Sequence, residues 1–463
     1  MLSVLHVNEV PERPVSSKQL FEKASKVIPG GVTANIKYFA PHPIFMEKGS
    51  GSKLFDVEGK EYIDYTLCYG ALITGHGHPR ITQATTEHMH QIGTAILGTP
   101  HALEISLAEK IIEHYESIDL VRYTNSGLEA TLLAIRLAVA HTNKTRIAKF
   151  EGHYHGGFNK VLISVNPKEE EAGSEDAPSS VPESMGISGE VSEETIVLPF
   201  NDLEATEKIL RAYQDELAAV ILEPVQGGFI PATDEFMHGL RALTKELGIV
   251  LIFDEVKTGY RVGLGGAQRE YGVQPDLTAL GKVLGGGFPI GAVGGSEEIM
   301  MLSAANNDSD VFAVGGDSSK GKNVVFHSGT YNGHPIVLAA GYETLCMLEE
   351  DGVMKDLFQK TNNLRNKLEA LYHQYGIPMQ TIGMGSIFNI VFSDEEILNY
   401  RDMWKANTDL REEIDTELLH LGIYLKPLNR YSFSTVHSEE DIQKTVDAHE
   451  QALKIVLQKR KAV

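Results

Sequence analysis

A lysine beside glycines and an aspartate at the end of an apolar run are the residues most suited to chemistry in this 463-residue chain. Lys282 lies between the apolar segment 277–280 and three consecutive glycines at 285–287. Upstream of it, Asp254 follows the apolar run 249–253. A lysine amine can form an imine with an aldehyde, and a buried carboxylate can keep a heterocyclic ring nitrogen protonated. The two segments together predict a site for an aromatic aldehyde cofactor.

Pyridoxal phosphate (PLP) is the cofactor that requires this pair of groups. It draws electrons from a cleaved bond into its ring, and it does so best when the ring nitrogen is protonated. We expect Asp254 to lie at the carboxyl end of a central strand, where open α/β sheets bind ligands. Taken alone, Asp254 and Lys282 are each explained as solvated surface charges. The glycine run favours the cofactor site, because glycine lets the backbone approach a flat ring closely.

Residues 120–138 predict a phosphate site. The segment contains a short apolar strand, a tight turn with Ser126 and Gly127, and a run with helical composition. Backbone N–H groups at a helix start bind anions, and the Ser126 hydroxyl adds a donor. An ordinary capped helix is the alternative interpretation, since serine is a good N-cap.

An aromatic residue and two histidines stand between glycines in residues 152–157, directly after the predicted strand 146–150. Tyr154 can stack on a planar cofactor. His153 and His155 could instead be metal ligands, but zinc sites usually need three or four ligands and no suitably spaced cysteine or glutamate is nearby. We therefore predict no metal.

Taken together and in order, these motifs resemble the class III, or ornithine-type, PLP-dependent aminotransferases. The glutamate-1-semialdehyde aminomutase branch of that family is the most similar. The resemblance covers nearly the whole chain, and the segments that carry it are residues 29–32, 62–65, 75–79, 125–127, 150–156, 223–227, 253–256, Lys282 and 329–330.

The resemblance implies a role for each matching residue. Lys282 is the Schiff-base lysine and proton carrier, Asp254 pairs with the ring nitrogen, Ser126 and Gly127 form the phosphate cup, Tyr154 and Val256 cover the two ring faces, Gln226 contacts the phenolic oxygen, and Thr330 reaches the phosphate of the neighbouring subunit. The implied cofactor is PLP, with pyridoxamine phosphate as its alternate form. A homodimer with shared active sites is also implied, since one chain cannot complete its own cup.

Several positions differ from the aminomutase branch. That branch usually has an arginine shortly after residues 29–32, where this chain has Lys37, which neutralises a carboxylate but lacks the bidentate fork. Segment 426–433 is shorter than the branch's pattern and lacks its glutamate, so Arg430 either recognises the substrate carboxylate or is a solvated loop arginine. Leu128 replaces the usual threonine.

These differences leave three reactions open. The leading hypothesis is amino-group transfer by a transaminase from a carboxylate-bearing amine to a keto or aldehyde acceptor. The alternatives are a true glutamate-1-semialdehyde 2,1-aminomutase, which moves nitrogen within one molecule, and a racemase or epimerase. All three share the first step, and the sequence does not distinguish them.

The predicted fold is α/β of PLP fold type I. Strands alternate with helical patterns from residue 119 to 289, which indicates a mostly parallel sheet flanked by helices. The resemblance implies a mixed seven-stranded sheet in a large domain, with a smaller α+β domain assembled from both chain ends. We place the boundaries at residues 1–75, 76–340 and 341–463.

Composition limits the partners and the compartment. A formal net charge of −22 disfavours binding to nucleic acid or an anionic membrane. The two cysteines, Cys68 and Cys346, indicate a reducing compartment rather than a disulfide framework. Neither a signal-peptide pattern nor an apolar stretch of about 20 residues is present, so we expect a cytoplasmic protein that does not span a membrane.

Two other nucleotide-binding classes fail on their motifs. The phosphate-binding loop of nucleotide triphosphatases needs Ser or Thr after its lysine, whereas Val283 follows Lys282. No early G-x-G-x-x-G turn of a Rossmann oxidoreductase is present. A non-catalytic binding module is disfavoured by the retention of both Lys282 and Asp254.

Two polar stretches are expected to be loops. Residues 166–194 are too polar to pack and long for a plain connection, so they form either an active-site lid or a solvated excursion. Residues 306–323, rich in Ser, Asp and Gly, are predicted to be a surface insertion.

Overall fold

The computed structural model describes residues 15–305 and 324–461. The predicted insertion at 306–323 therefore lies outside the described residues. The strands are β1 (Met46–Ser50), β2 (Lys53–Asp56), β3 (Glu61–Asp64), β4 (Leu120–Thr124), β5 (Arg146–Phe150), β6 (Gly173–Ser174), β7 (Ala177–Pro178), β8 (Thr195–Leu198), β9 (Leu217–Leu222), β10 (Val225–Gln226), β11 (Ile230–Pro231), β12 (Val250–Asp254), β13 (Leu277–Gly281), β14 (Gly291–Gly295), β15 (Gln380–Met384), β16 (Ile387–Val391), β17 (Ile423–Tyr424) and β18 (Tyr431–Ser432).

The helices are α1 (Ser17–Ala24), α2 (Leu67–Gly70), α3 (Pro79–Ile92), α4 (Ala102–His114), α5 (Gly127–Thr142), α6 (Gly189–Glu193), α7 (Leu203–Ala212), α8 (Asp234–Leu247), α9 (Gly266–Tyr271), α10 (Glu297–Met300), α11 (Pro335–Glu349), α12 (Val353–Gln374), α13 (Thr408–His420) and α14 (Glu439–Lys461). Short 3-10 turns lie at Pro29–Gly31, Asn35–Lys37, Lys282–Gly285, Met301–Ser303 and Arg401–Lys405. Within α2, Cys68 and Tyr69 have φ of 52° and 56°, so this segment is a left-handed turn.

Seven strands form the main sheet in the order β4-β14-β13-β12-β9-β5-β8. Strand β14 pairs antiparallel with both β13 and β4, whereas the other neighbouring pairs are parallel. The predicted mixed, mostly parallel seven-stranded sheet is confirmed. Because most strands run the same way, their carboxyl ends meet at one edge of the sheet.

The central strands are buried on both faces, as expected of a parallel sheet covered by helices. All residues of β9 and β12 are buried. Along β12, Leu251 and Phe253 pack in the core beneath α8, whereas Val250 and Ile252 pack with α5. Alternation of side chains along a strand therefore directs Asp254 toward the α5 side, where the predicted phosphate site lies.

Both chain ends contribute to the smaller sheets. Strand β17, near the carboxyl terminus, pairs in parallel with β3, near the amino terminus. Strands β15, β16 and β18 form a separate three-stranded antiparallel sheet. This pairing agrees with a smaller α+β unit built from both ends, while the boundaries at residues 75/76 and 340/341 stay a prediction.

Segment 166–194 is anchored to the rest of the fold. It contains the hairpin β6–β7, and Arg401 donates to the carbonyl oxygens of Ala172 (2.9 Å) and Gly173 (3.0 Å). The same guanidinium pairs with Glu151, with Nε at 2.7 Å from the carboxylate. The expectation that this segment is too polar to pack is wrong, because Ala172 is buried and side chains from distant parts of the chain bind the segment.

Within residues 15–305 and 324–461, every helix is too short or too polar to cross a membrane.

Candidate active site

A cavity of about 470 Å³ opens at the carboxyl edge of the main sheet. Its walls come from segments that directly follow β4, β5, β9, β12 and β13, which is where ligands bind in open α/β sheets. The predicted site residues that line the cavity are Ser126, Gly127, Tyr154, Asp254, Val256 and Lys282. The fold thus brings together predicted site residues that are far apart in the chain, up to the 156 positions between Ser126 and Lys282.

Asp254 is held rigidly at the end of β12. Its side chain is buried, with Oδ1 accepting from the Val256 N–H at 3.0 Å and Oδ2 at 2.8 Å from His155 Nδ1. His155 is fixed in turn, because its carbonyl accepts from the Thr131 hydroxyl of α5 at 2.8 Å. The neighbouring Glu255 points away and accepts from the N–H groups at the start of α9. Of the two adjacent carboxylates, only Asp254 lines the cavity.

Lys282 begins a 3-10 turn immediately after β13 and has φ of 47°. Residues other than glycine rarely adopt this left-handed conformation, and such strain concentrates at functional sites. Burial lowers the pKa of the Lys282 amine well below its usual value, and the nearby cations Lys257 and Arg430 lower it further against the opposing effect of Glu223 and Asp254. Burial therefore favours the unprotonated amine, which is the nucleophilic form of lysine.

The predicted phosphate cup is the start of α5. Ser126 is the N-cap residue, and its hydroxyl accepts from the Glu129 N–H at 3.3 Å. A Cβ atom on Gly127 would lie 2.5 Å from Val256 Cγ1, so only glycine allows the helix start to pack against Val256. The helix start and Val256 together form one wall of the cavity.

Two of the glycines after Lys282 are required for different structural reasons. Gly287 lines the cavity with φ of 101°, in agreement with the predicted close approach of the backbone to a ligand. Gly286 faces α11 instead, where a Cβ atom would lie 2.5 Å from Thr344 Oγ1 and 2.7 Å from the carbonyl of Ala340. Packing against a helix, rather than a ligand, therefore explains Gly286.

A buried ion pair at the cavity was not assigned a role by the sequence reasoning. Glu223, which follows β9, lies with Oε1 at 3.0 Å from Lys257 Nζ. Its Oε2 accepts from the N–H groups of Tyr154 (2.9 Å) and Gly227 (3.2 Å). Burial opposes ionisation of Glu223, but Lys257, the two histidines and the Tyr154 N–H together outweigh it and lower the pKa, so the carboxylate is ionised. The sequence feature that could have indicated this ion pair is the position of Lys257, three residues after Asp254 at the end of β12.

The two predicted substrate cations lie outside the cavity lining. Arg430 directly precedes β18, and burial lowers the pKa of its guanidinium while Glu223 opposes that effect. Lys37 is exposed and donates to the Thr33 hydroxyl at 2.9 Å. Burial and Asp64 raise the pKa of Cys68, which lines the cavity, whereas Lys37 and Lys282 lower it. Both lysines are therefore close enough to act electrostatically on that thiol.

Gln226 and Thr330 are likewise outside the cavity lining. Gln226 is buried against the turn after β5 and donates from Nε2 to the carbonyl of Glu151 at 3.2 Å. Thr330 is exposed on its own chain. A contact of Gln226 with the cofactor, and of Thr330 with a neighbouring subunit's phosphate, both stay predictions.

His153 and His155 are used as hydrogen-bonding groups. His153 Nδ1 accepts from the Glu223 N–H at 2.9 Å, and His155 binds Asp254. Among residues 15–305 and 324–461, no three His, Cys, Asp or Glu side chains are grouped as a metal ion would require.

The chain belongs to the class III aminotransferase family, whose model, described as Aminotransferase class-III, matches residues 37–453. It is 42% identical over 448 residues to the glutamate-1-semialdehyde 2,1-aminomutase of Ignicoccus hospitalis, covering 95% of this chain and 99% of the relative. It is 41% identical over 445 residues to the aminomutase of Methanothermobacter thermautotrophicus, covering 95% and 99% of the two chains. The predicted family is confirmed, and with it a PLP-dependent enzyme of amino-group transfer.

Solved structures share the fold. An omega-transaminase from Sphaerobacter thermophilus superposes with a TM-score of 0.88 at 35% identity, covering 96% of this chain and 98% of that one. A glutamate-1-semialdehyde aminomutase from Pseudomonas aeruginosa superposes with a TM-score of 0.82 at 22% identity, covering 95% and 94%. The predicted fold type is therefore confirmed.

The residues present fit a flat ring carrying a phosphate. An acid, an amine and a helix start face one cavity, and Gly127, Gly156 and Gly287 are lining residues that place no side chain in it. At Gly156, φ is 104° and a Cβ atom would lie 2.5 Å from Leu128 Cδ1. Tyr154, half exposed at the rim, is available to cover a ring face.

Proposed function

We propose that this enzyme transfers an amino group from a carboxylate-bearing amine to a keto or aldehyde acceptor, with Lys282 and Asp254 as its catalytic residues. The observation that carries the proposal is the meeting of a buried lysine amine, whose pKa is lowered, and a hydrogen-bonded, buried carboxylate in one cavity beside a helix start. Bound PLP supplies an electron sink for the carbanion formed at the substrate's Cα.

Lys282 has two roles in this proposal. Its unprotonated amine would hold PLP by a covalent bond. When free, the same amine would carry a proton between the substrate's Cα and the cofactor's C4′ carbon. The lowered pKa of Lys282 suits the second role, because it favours the unprotonated amine, which is the form that accepts a proton.

Asp254 and the cup act by binding and orienting. Asp254 holds the ring nitrogen protonated, and its bonds to Val256 and His155 fix the carboxylate before the cofactor binds. Ser126 and the N–H groups at the start of α5 bind the phosphate. Tyr154 and Val256 cover opposite faces of the ring.

Arg430 is the proposed anchor for the substrate carboxylate, with Lys37 as a second cation at the exposed side. Arg430 lies beside Lys257 behind Gly228, where a Cβ atom would be 3.4 Å from Arg430 Nε. Because an enclosed guanidinium binds a carboxylate in a bidentate manner, a substrate with that group is favoured.

Intramolecular transfer, as in a glutamate-1-semialdehyde 2,1-aminomutase, is the second candidate. Relatives of that name are 39–42% identical to this chain over 94–96% of its length, which supports it. Lys37 at the position of the usual arginine argues for the broader activity.

We also propose that the enzyme is a cytoplasmic homodimer. Exposed apolar side chains occur on α4 and in the segment before α11, including Ile105 (63% exposed) and Tyr331 (61% exposed). Tyr331 neighbours Thr330, so a second chain packed there would bring Thr330 to its phosphate site. Sedimentation of the purified protein tests this, and a monomer with full activity would contradict it.

One experiment separates the candidate reactions. Purified enzyme loaded with PLP is mixed with glutamate-1-semialdehyde or with each of a panel of amino donors, and the two cofactor spectra are followed. A transaminase converts the cofactor with several donors and turns over only when an acceptor is added. An aminomutase yields the isomeric amino acid from glutamate-1-semialdehyde alone, and the absence of any spectral conversion would contradict both proposals.

A further inference from the structure

Three basic side chains and two carboxylates lie at or beside the cavity. Arg430 lowers the pKa values of Lys257 and Lys282 electrostatically, and Lys257 also lowers that of Lys282. Glu223 and Asp254 are the carboxylates that oppose this effect. In the proposed function Asp254 is committed to the ring nitrogen. The remaining question is which cation Glu223 neutralises, because that decides which cation is left for a substrate.

Glu223 is committed to Lys257. Its Oε2 is occupied by two backbone N–H groups, so Oε1 is the atom available to a cation, and Lys257 Nζ lies 3.0 Å from it. Both side chains are almost fully buried, at 9% exposure for Lys257 and 3% for Glu223. A buried carboxylate of this kind needs a paired cation, so removal of Lys257 would favour a new ion pair between Oε1 and a different cation.

Arg430 is the neighbouring cation. Gly228 separates the two side chains: a Cβ atom there would lie 2.4 Å from Lys257 Cδ and 3.3 Å from Arg430 Cδ. Glu223 is the carboxylate that acts on the Arg430 guanidinium, yet among the described residues no ion pair joins Arg430 to a carboxylate. Its guanidinium is thus close to Glu223 but not neutralised by it.

The backbone around Arg430 is fixed. The Leu428 N–H donates to Asp415 at 2.8 Å, and Arg411 donates to the carbonyl of Asn429 at 2.8 Å. The backbone of Arg430 is therefore held in place, and its side chain can bind either a substrate or Glu223.

We propose that Lys257 is a positioning residue that gives the enzyme its preference for carboxylate-bearing substrates, by occupying Glu223 and so leaving Arg430 free to bind the substrate carboxylate. This inference rests on the proposed function and deepens it. Without the Lys257 ammonium group, Glu223 pairs with Arg430, and the substrate carboxylate has to compete with an internal one.

The test is the affinity of the PLP-loaded enzyme for pentanoate, which has no amine or carbonyl group to react, with the uncharged pentanamide as its matched probe. Calorimetry measures both dissociation constants for the wild type, Lys257→Met, Lys257→Arg and the double variant Glu223→Gln/Lys257→Met. The matched control is Lys454→Met, which removes an exposed lysine paired with Glu450 at 2.8 Å.

Lys257→Met is expected to raise the dissociation constant of pentanoate about tenfold or more, the range for loss of a hydrogen bond to a charged group, and to leave pentanamide unchanged. Lys257→Arg keeps the ion pair and stays near the wild type. The double variant regains pentanoate affinity, because the neutral amide introduced by Glu223→Gln no longer captures Arg430. A merely structural role of Lys257 would not produce that rescue. If Lys257→Met does not fold, Lys257→Gln carries the same test, since it removes the charge and fills the space.

Two results would overturn the inference: pentanoate affinity of Lys257→Met within twofold of the wild type, or a double variant as weak as the single one. Failure of the proposed function is recognised separately. In that case the wild-type enzyme itself lacks the visible band of lysine-bound PLP and converts no amine.

Discussion

Replacing Asp254 with Asn removes one negative charge from a fixed, buried position while preserving the size of the side chain. The carboxylate holds the Val256 N–H at Oδ1 and faces His155 Nδ1 at Oδ2, at 3.0 and 2.8 Å. An amide can keep the first contact only by turning its NH2 group toward His155. Asp254→Asn therefore changes both the charge under the cofactor ring and the tautomer that His155 must adopt.

The magnitude follows from the loss of a preorganised electrostatic group in an enclosed site. Loss of one such group costs about 2.7–4 kcal/mol in transition-state stabilisation, which corresponds to a rate reduction of roughly 10²–10³. We expect the upper part of this range, because the Asp254 side chain is buried and its two partners leave it no room to reorient.

The assay is the single-turnover rate of cofactor conversion with the amine that the wild type converts fastest. Asp202→Asn is the matched control: Asp202 caps α7 by accepting from the Ala205 N–H at 3.0 Å, and asparagine caps helices equally well. The control should stay within twofold of the wild type. An Asp254→Asn rate within tenfold of the wild type would show that a different group keeps the ring protonated.

Three further predictions concern single residues. Lys282→Ala should abolish the visible band of lysine-bound PLP and borohydride labelling of the peptide; labelling of another lysine would reject the assignment. Burial lowers the pKa of Lys149 to about 7, so its protonation opposes folding, and stability rises with pH from about 7 to 10.5. Uptake of this one proton on unfolding makes the unfolding free energy rise by about 1.4 kcal/mol per pH unit in that range. Denaturant unfolding of Lys149→Met should lack this contribution, and equal slopes for the wild type and the variant would contradict the prediction. Arg401→Met removes the cation that pairs with the buried Glu151, so it should lower the unfolding free energy by about 3–5 kcal/mol. It should also speed hydrogen exchange in residues 166–194. Unchanged exchange would mean that other contacts hold the segment.

The parts of the fold that could be predicted are those set by local patterns. The apolar run before Asp254 corresponds to β12, because a continuous apolar strand needs burial on both faces, and the segment predicted as a strand at 146–150 corresponds to β5. A helix start at Ser126 and Gly127 was predicted from the neighbouring residues alone, and Ser126 caps α5, as the alternative interpretation of that motif had it. In each case the residue type and the following turn were sufficient.

Contacts between distant segments could not be predicted in this way. Glu223 and Lys257 are 34 positions apart and meet only because β9 and β12 are neighbours in the sheet. His155 was considered as a metal ligand because its pairing with Asp254, 99 positions away, leaves no local pattern. The lid hypothesis for residues 166–194 stays open, although none of these residues lines the cavity.

The difference between cofactor and substrate groups has a structural cause. Asp254 ends β12, and Lys282 directly follows β13. The two strands pair with Asp254 opposite Ala279, so the sheet fixes the separation of the two residues. Lys37 and Arg430 come instead from a turn near one chain end and a loop near the other. Their positions depend on how the chain ends pack rather than on the main sheet. Changes in those segments can therefore alter the substrate while the chemistry at the sheet edge stays the same, which is why motifs identified the reaction class more sharply than the substrate.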